Sequence, residues 1–223
     1  MLKIAIVDDH AIFRFGLKLI LEVEKDFKVE FEADNGHDLI TKLNHNYVDL
    51  ILLDLQMPEL DGENTLQLLK EKYPKIKVIV ITFKDQWDEL KKIMKLDIDG
   101  LFTKNANPKF LINALKNIEK PQFFIDPLLK SKFLNGMEDA PHNPSLLFEI
   151  TEREKEIILL FAKEFTLKEI SRILNISPRT IETHKKNLMQ KLECKNFIGV
   201  IIKCLENKVI DFNDLKTFNL KNP

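Results

Sequence analysis

Apolar residues follow two rhythms along the chain. Over the first 120 positions, short apolar runs alternate with amphipathic stretches; from Ile150 onward the pattern is helical throughout. Five runs predict strands: Lys3–Val7, Lys28–Glu32, Val48–Leu53, Lys77–Ile81 and Gly100–Thr103. Runs such as Ile51-Leu52-Leu53 and Val78-Ile79-Val80-Ile81 lack polar alternation, as in strands buried on both faces. Helical periodicity predicts Ala11–Val23, Gly36–Leu43, Gly62–Tyr73, Gln86–Leu96 and Pro108–Ile118, the last with a proline in its first turn. Strand and helix in regular alternation predict an α/β fold, a doubly wound parallel sheet with helices on both faces.

The alternation ends near residue 120. Pro121, Pro127, Pro141 and Pro144, with Gly136, Asn143 and Ser145, predict a linker over 121–147, within which Leu128–Leu134 can form one short helix. Thr151-Glu152-Arg153-Glu154 then spells a capping box: a hydroxyl caps the helix, and a carboxylate three residues on reaches back. Ile157, Leu160 and Phe161 form that helix's apolar stripe. A second helix is expected over Leu167–Leu174. Ser177 and Pro178 suit the N-cap and first position of a third, Pro178–Leu192. A fourth is expected over Phe197–Glu206. The chain thus divides into 1–120, a linker 121–147, an all-α four-helix domain 148–208 and a polar tail 209–223.

Composition narrows the classes. The net charge of −1 hides an asymmetry. Residues 1–120 carry 18 basic and 21 acidic side chains, and residues 148–208 carry 12 and 9, a modest hint of a polyanion-binding C-terminal part. Cys194 and Cys204 are the only cysteines, too few for a disulfide framework or a zinc cluster, so buried reduced thiols are expected. No apolar run is long enough to span a membrane, and acids follow the first short run at once, unlike a signal peptide. The cytoplasm is the expected compartment.

The chemistry gathers at strand ends. Asp8 and Asp9 end the first predicted strand and Asp54 the third. In an open α/β sheet, ligands bind beyond the carboxyl ends of the strands. Three carboxylates meeting there need a cation, and oxygen ligation with waters retained suits Mg²⁺. With that charge balanced, a carboxylate can attack phosphorus. Thr82 ends the fourth strand with a hydroxyl donor, and Lys104 ends the fifth with a cation. His10, beside Asp9, suits a helix start better than a catalytic role.

Residues 1–120 resemble the receiver domain of bacterial response regulators. The resemblance rests on Ile6-Val7-Asp8-Asp9-His10, Leu52-Leu53-Asp54-Leu55-Gln56-Met57-Pro58, Asp61-Gly62, Val80-Ile81-Thr82 and Gly100-Leu101-Phe102-Thr103-Lys104. It implies a flavodoxin-like (βα)5 domain with strand order 2-1-3-4-5. It also implies that Asp54 is the phosphoryl acceptor, and that Thr82 and Lys104 bind phosphoryl oxygens. Asp9, Asp54 and the Gln56 carbonyl would ligate Mg²⁺, with Asp8 acting mostly through water. This chain departs from the pattern in two places. Phe83 stands where a small residue is usual and can narrow access to Asp54. Leu101 stands where an aromatic is frequent, with Phe102 next. Gln56 and Lys84 occupy positions that tune phosphoryl lifetime in the family.

A helix-turn-helix sets its second helix in the DNA major groove. The predicted helix from Pro178 offers Ile181, Leu188 and Leu192 to a core, and Arg179, Thr183, Lys186 and Gln190 to the outside. Residues 148–208 resemble the LuxR-type effector domain of the NarL/FixJ group, through Thr151–Glu156, Lys168-Glu169-Ile170, Ile176-Ser177, Arg179-Thr180-Ile181, His184, Asn187-Leu188 and Lys191-Leu192. That resemblance implies DNA contacts from Arg179, Thr180, Thr183, Lys186 and Lys168, and dimerisation through the fourth helix. Glu182 stands where a basic residue is common, Glu164 and Leu167 replace a frequent Gly and Asn, and Cys194 replaces a usual Val.

Together the two resemblances imply a two-component response regulator. A partner histidine kinase would phosphorylate Asp54, and the phosphorylated, dimeric form would bind DNA and control transcription. Such a protein is not an enzyme, beyond Mg²⁺-dependent gain and loss of its own phosphoryl group. The alternative is a phosphorylation-independent regulator whose receiver is a protein-interaction module. An aspartyl-phosphate phosphatase is disfavoured, because Gln56 stands where its second acid belongs.

Overall fold

The computed structural model describes residues 1–57, 62–84, 86–120, 123–129, 150–163 and 165–210. Pro58, Asp61, Glu164, most of the expected linker, the residues of its helix beyond 129, and the tail from 211 lie outside the described residues. The chain forms two compact units, one built on a sheet and one on the C-terminal helices.

Along the first 125 residues, β1 (Leu2–Val7), β2 (Phe27–Ala33), β3 (Leu50–Leu53), β4 (Lys77–Thr82), β5 (Gly100–Thr103) and β6 (Phe124–Ile125) alternate with α1 (Ala11–Glu22), α2 (Gly36–Leu43), α3 (Gly62–Lys72), α4 (Trp87–Met94) and α5 (Pro108–Lys116). The sheet runs β2-β1-β3-β4-β5-β6, and each pairing is parallel. The flavodoxin-like order expected from sequence is present, with a sixth strand added at the edge. That strand was not anticipated: it is two residues long and lies past the expected end of the domain. Gly100 makes it possible. A Cβ there would stand 2.8 Å from the carbonyl oxygen of Phe124.

Burial explains the apolar runs. All four residues of β3 are buried, and β4 is buried from Val78 onward. Ile6, Leu21, Leu52, Ile79 and Phe102 share one core cluster with Leu111 of α5. Asn35 caps α2 by accepting the N–H of Asp38, and Asn107 caps α5 by accepting that of Lys109 ahead of Pro108. On α1 the inner positions Leu17 and Leu21 are buried, whereas Ile12, Phe15, Leu19 and Val23 form a second, exposed apolar stripe.

Register sets the functional end of the sheet. Val7 pairs with Leu53, and Thr82 with Thr103. The residues that follow remain in step: Asp54 N–H donates to the Val7 carbonyl at 2.8 Å, and Lys104 N–H to that of Thr82 at 2.9 Å.

The second unit holds α6 (Glu152–Ala162), α7 (Leu167–Leu174), α8 (Pro178–Lys191) and α9 (Phe197–Glu206) around Ile157, Leu160, Ile170, Ile181, Leu188 and Val200, all fully buried. The capping box at Thr151 and Glu154 is present, and a second one joins Thr166 and Glu169. Asn175 ends α7 in the left-handed region at φ 52°, and Ser177 caps α8 with Pro178 at its first position. Of the two thiols, Cys204 is buried; Cys194, in the turn between α8 and α9, is only half-buried, unlike the expectation of two buried thiols. Burial pushes the Cys204 thiol up to about 12.

Glycine positions give the first test. A Cβ at Gly62 would lie 2.3 Å from the Leu55 Cα and 2.7 Å from the Asp54 carbonyl oxygen, whereas one at Gly16 meets nothing within 4 Å. Gly62→Ala is expected to lower unfolding free energy by about 1–3 kcal/mol, the usual cost of overpacking. Gly16→Ala, inside a helix, is expected to raise it by about 0.5–1 kcal/mol. Urea unfolding followed by circular dichroism measures both.

Candidate functional site

Beyond the ends of β1, β3 and β5 the chain places Asp8, Asp54 and Lys104 in direct contact. Asp8 and Asp54 are 2% and 1% exposed, and the Lys104 side chain is fully covered. The ammonium lies 2.7 Å from Asp54 Oδ2 and 2.8 Å from Asp8 Oδ2. It also stands 5.0 Å from the ring centres of Phe13 and of Phe83. Two carboxylates and two aromatic faces thus enclose one cation.

Backbone donors set the remaining oxygens. Gln56 N–H donates to Asp54 Oδ1 at 2.9 Å, and His10 N–H to Asp8 Oδ1 at 2.8 Å. Burial pushes the Asp54 carboxyl above its ordinary value of 3.8, and the Asp8 charge adds to that push. The hydrogen bonds from Lys104 and Gln56 act in the opposite direction. Thr82 is fully buried; its hydroxyl donates to Gln56 Oε1 at 3.4 Å and accepts the Lys84 N–H at 3.1 Å. Thr82 is therefore joined to Asp54 through Gln56.

Asp9 is exposed at the mouth, its Oδ1 2.8 Å from His10 Nδ1. His10 precedes α1 as its N-cap residue without a side-chain capping bond. One ligand atom from each of Asp8, Asp9, His10 and Asp54 lies within 4.8 Å of the others. Three of these four donors are carboxylates, a set that suits a hard divalent cation. Phe83 is half exposed, with its ring edge-on to His10 at 6.2 Å. It therefore borders the opening, where the sequence suggested narrowing. Leu101 and Phe102 are both buried in the core.

Phe13, Arg14 and Asp126 were missed. Phe13 reads as an ordinary core position of α1. Arg14 donates from Nη1 to the carbonyl oxygen of Asp8, and its Nε lies 3.6 Å from Glu32. Its signal is rarity: it is the only arginine before Arg153. Asp126 follows Phe124-Ile125 as Asp54 follows Leu52-Leu53, an acid at the end of an apolar pair.

In the second unit, Arg179, Thr180, Thr183 and Lys186 of α8 are exposed, as is Lys168 of α7. Glu182 and Gln190 are exposed too. Two hydroxyls have local partners: Thr183 donates to the Arg179 carbonyl at 3.0 Å, and Thr180 Oγ1 lies 2.8 Å from Ser177 Oγ. Lys185 takes another direction. Its ammonium stands 5.4 Å from the Phe161 ring centre and 5.7 Å from that of Phe197, and burial pushes its pKa down. The turn before α8 is fixed by Ser171, whose hydroxyl donates to the Ile176 carbonyl at 2.6 Å. Arg153 Nη2 donates to that of Leu174, also at 2.6 Å. Among the described residues, no helix is long and apolar enough to cross a membrane.

Comparison with known proteins matches both units. Residues 4–116 match the response regulator receiver domain, and residues 149–203 match the bacterial regulatory proteins of the luxR family. The oxygen regulatory protein NreC of Staphylococcus carnosus is 31% identical, over 95% of this chain and 100% of its own. The response regulator protein VraR of Staphylococcus epidermidis is 30% identical, over 94% and 99%. Among solved structures, the RcsB response regulator of Salmonella typhimurium aligns with a TM-score of 0.59 at 28% identity, covering 90% of this chain and 97% of that one. A structure of two RcsB dimers bound to two parallel DNAs aligns at 0.58 and 28%, covering 92% and 98%.

The first C-terminal cap provides a test with a definite sign. Burial alone would raise the Glu154 carboxyl, but hydrogen bonds from the Thr151 N–H and hydroxyl and from Lys191 outweigh it and hold it below its ordinary 4.5. A depressed carboxyl stabilises the fold above its unfolded value, and that stabilisation is lost as pH falls through the folded one. Glu154→Gln is expected to cost about 1 kcal/mol at neutral pH, as for a lost cap. The gap from wild type should close as pH is lowered below 4.5, read from urea midpoints of the helical signal.

Proposed function

The chain belongs to the response regulators that join a receiver domain to a LuxR-type regulatory domain, and we propose that phosphorylation of Asp54 by a partner histidine kinase controls its sequence-specific binding to DNA. The observation that carries this is the Lys104 ammonium held between Asp54 and Asp8 at the strand ends. In the transfer, an Asp54 oxygen bonds to phosphorus as the phosphorus–nitrogen bond of the donor phosphohistidine breaks, and the leaving imidazole nitrogen keeps the bonding pair and takes up a proton from solvent. Asp9, Asp54 and the Gln56 carbonyl would hold Mg²⁺, with Asp8 acting through water. Bound there, the ion supplies positive charge that offsets the phosphoryl oxygens.

Lys104 and Thr82 bind the new oxygens. A phosphoryl group brings about −1.5 to −2 charges, so Lys104 exchanges its contact with the Asp54 carboxylate for the phosphoryl oxygens. Thr82 gives up Gln56 and turns its hydroxyl inward. These two movements bias the receiver between two arrangements. Apart from gain and loss of its own phosphoryl group, the chain turns over no substrate. It works in the cytoplasm, as a homodimer when phosphorylated.

On DNA, α8 lies in the major groove. Arg179, Lys186 and Lys168 contact phosphates or base edges, and Thr180 and Thr183 add hydroxyls; phosphate contacts position the protein and base contacts specify the site. Glu182 accepts from a cytosine amino group or repels phosphate. The dimers of RcsB on DNA support this arrangement. One observation favours the second reading, a receiver acting only through protein contacts: Ile12, Phe15, Leu19 and Val23 leave an apolar stripe on α1 that does not depend on the pocket.

Two experiments test the proposal. Incubation with acetyl phosphate and Mg²⁺ should give a base-labile phosphorylated band and tighter DNA binding in gel shifts. Asp54→Asn should lose both; equal DNA binding by that variant would establish the phosphorylation-independent reading instead. On random-sequence duplex, Lys186→Ala should weaken binding evenly and reduce the slope of log affinity against log salt by about 1.

A further inference from the structure

Asp126 is a buried carboxylate, 1% exposed, outside the acidic pocket. Removing a carboxylate from water is costly unless its hydrogen bonds are met, so its place calls for a reason. Among the described residues, the groups that hold it are neutral. Oδ1 accepts the Leu128 N–H at 2.9 Å, as in an ordinary turn or helix start. Oδ2 does something a capping residue does not require. It accepts both the backbone N–H of Thr103, at 3.2 Å, and the Thr103 hydroxyl, at 3.1 Å.

Thr103 is the last residue of β5 and precedes Lys104. Its hydroxyl also accepts the Asn105 N–H at 3.2 Å, and its carbonyl accepts the Ala106 N–H at 3.0 Å. The turn that carries Lys104 is thus organised around Thr103, and Asp126 holds Thr103 from the other side. The fit extends down the edge of the sheet. Gly100 pairs with Phe124 and Leu101 with Ile125, and the Asp126 N–H donates to the Leu101 carbonyl at 2.9 Å. The contact at Gly100 admits no Cβ. In the sequence, the C-terminal helices follow Asp126 after the linker.

We infer that Asp126 is a positioning residue for Lys104, and that the Asp126–Thr103 clamp passes displacement of Lys104 into β6 and the chain that follows. The inference rests on the proposed phosphorylation of Asp54. Clamped, the turn holds the ammonium at the height where it meets a phosphoryl oxygen. When Lys104 shifts toward the phosphoryl group, Thr103 shifts with it, and the carboxylate draws on β6.

The test uses the full chain with acetyl phosphate and Mg²⁺. Asp126→Ala is expected to slow the maximal rate of phosphoryl uptake about fivefold or more, the scale of a small misplacement of a reacting group, with little change in the donor concentration at half-rate. Asp126→Asn keeps an acceptor for Thr103 and should recover most of that rate. Thr103→Val keeps the strand-forming shape without the hydroxyl, and should behave as Asp126→Ala even if the latter folds poorly. Hydrogen exchange supplies the second readout. Beryllofluoride, a phosphoryl mimic, should change exchange of the Asp126 and Leu128 amides in the wild type about threefold or more, and not in Asp54→Asn. Wild-type uptake rates in Asp126→Ala or Thr103→Val would overturn the positioning role. Unchanged exchange at Asp126 and Leu128 in a wild type that does load its pocket would overturn the transmission. In either case Asp54 phosphorylation would stand. If the wild type took up no phosphoryl group, that proposal would fall and take the inference with it.

Discussion

One buried cation holds the working end of the receiver together. Lys104 sits within 2.8 Å of both Asp8 and Asp54, carboxylates that have almost no access to water. Without it, two like charges would face each other in a region of low dielectric, and breaking a buried pair in this way commonly costs about 3–5 kcal/mol. The aligned β1, β3 and β5 bring the three groups together, and the Phe13 and Phe83 rings close the cation in. Two carboxylates thus share one ammonium, and the resting pocket is only partly neutralised from within; under the proposed phosphorylation of Asp54, the phosphoryl group competes for the same ammonium. In that proposal, the competition is what links chemistry at Asp54 to the end of β5.

Much of this arrangement is legible in sequence, for a definable reason. Parallel strands covered on both faces must be apolar throughout, so Leu50–Leu53 and Val78–Ile81 stand out, and the first polar residue after each marks a strand end. Asp8, Asp54 and Thr82 are found by that rule alone; Lys104 stands one residue past Thr103, the first polar residue after Leu101-Phe102. Phe124-Ile125 escapes it, because two residues flanked by Pro121 and Pro127 carry no periodic signal. What secures β6 is tertiary: the bare backbone at Gly100 and the carboxylate of Asp126. Phe13 escapes for a different reason. Its helical position predicts burial, and nothing in the spacing distinguishes an aromatic in the core from one against a cation.

The C-terminal unit shows the same division. Capping signals are local, so Thr151 with Glu154 can be read directly, and Thr166 with Glu169 repeats the pattern. The direction of a charged side chain is not local. Lys185 and Lys186 are adjacent in sequence, yet Lys186 faces solvent while Lys185 lies against Phe161 and Phe197. A count of cations on α8 overstates the surface available to a polyanion, and the packing of α6 and α9 beneath it decides which ones remain.

The path between the two ends is where sequence comparison is weakest and geometry most useful. An aromatic that swings at the position of Leu101 is ruled out, since Leu101 is fully buried and aliphatic, and Phe102 is built into the core at 2% exposure. Neither can turn outward without opening a cavity beneath the sheet, a change costing several times the thermal energy. The switching proposed for the end of β5 is therefore left to its backbone and its polar side chains. Thr103 meets that requirement: its N–H and hydroxyl both end on Asp126, the residue just past β6, and its neighbour carries the ammonium that pairs with Asp54. A hydrogen-bonded strand edge can carry a displacement without opening space, whereas a rotating side chain needs space that this core does not leave.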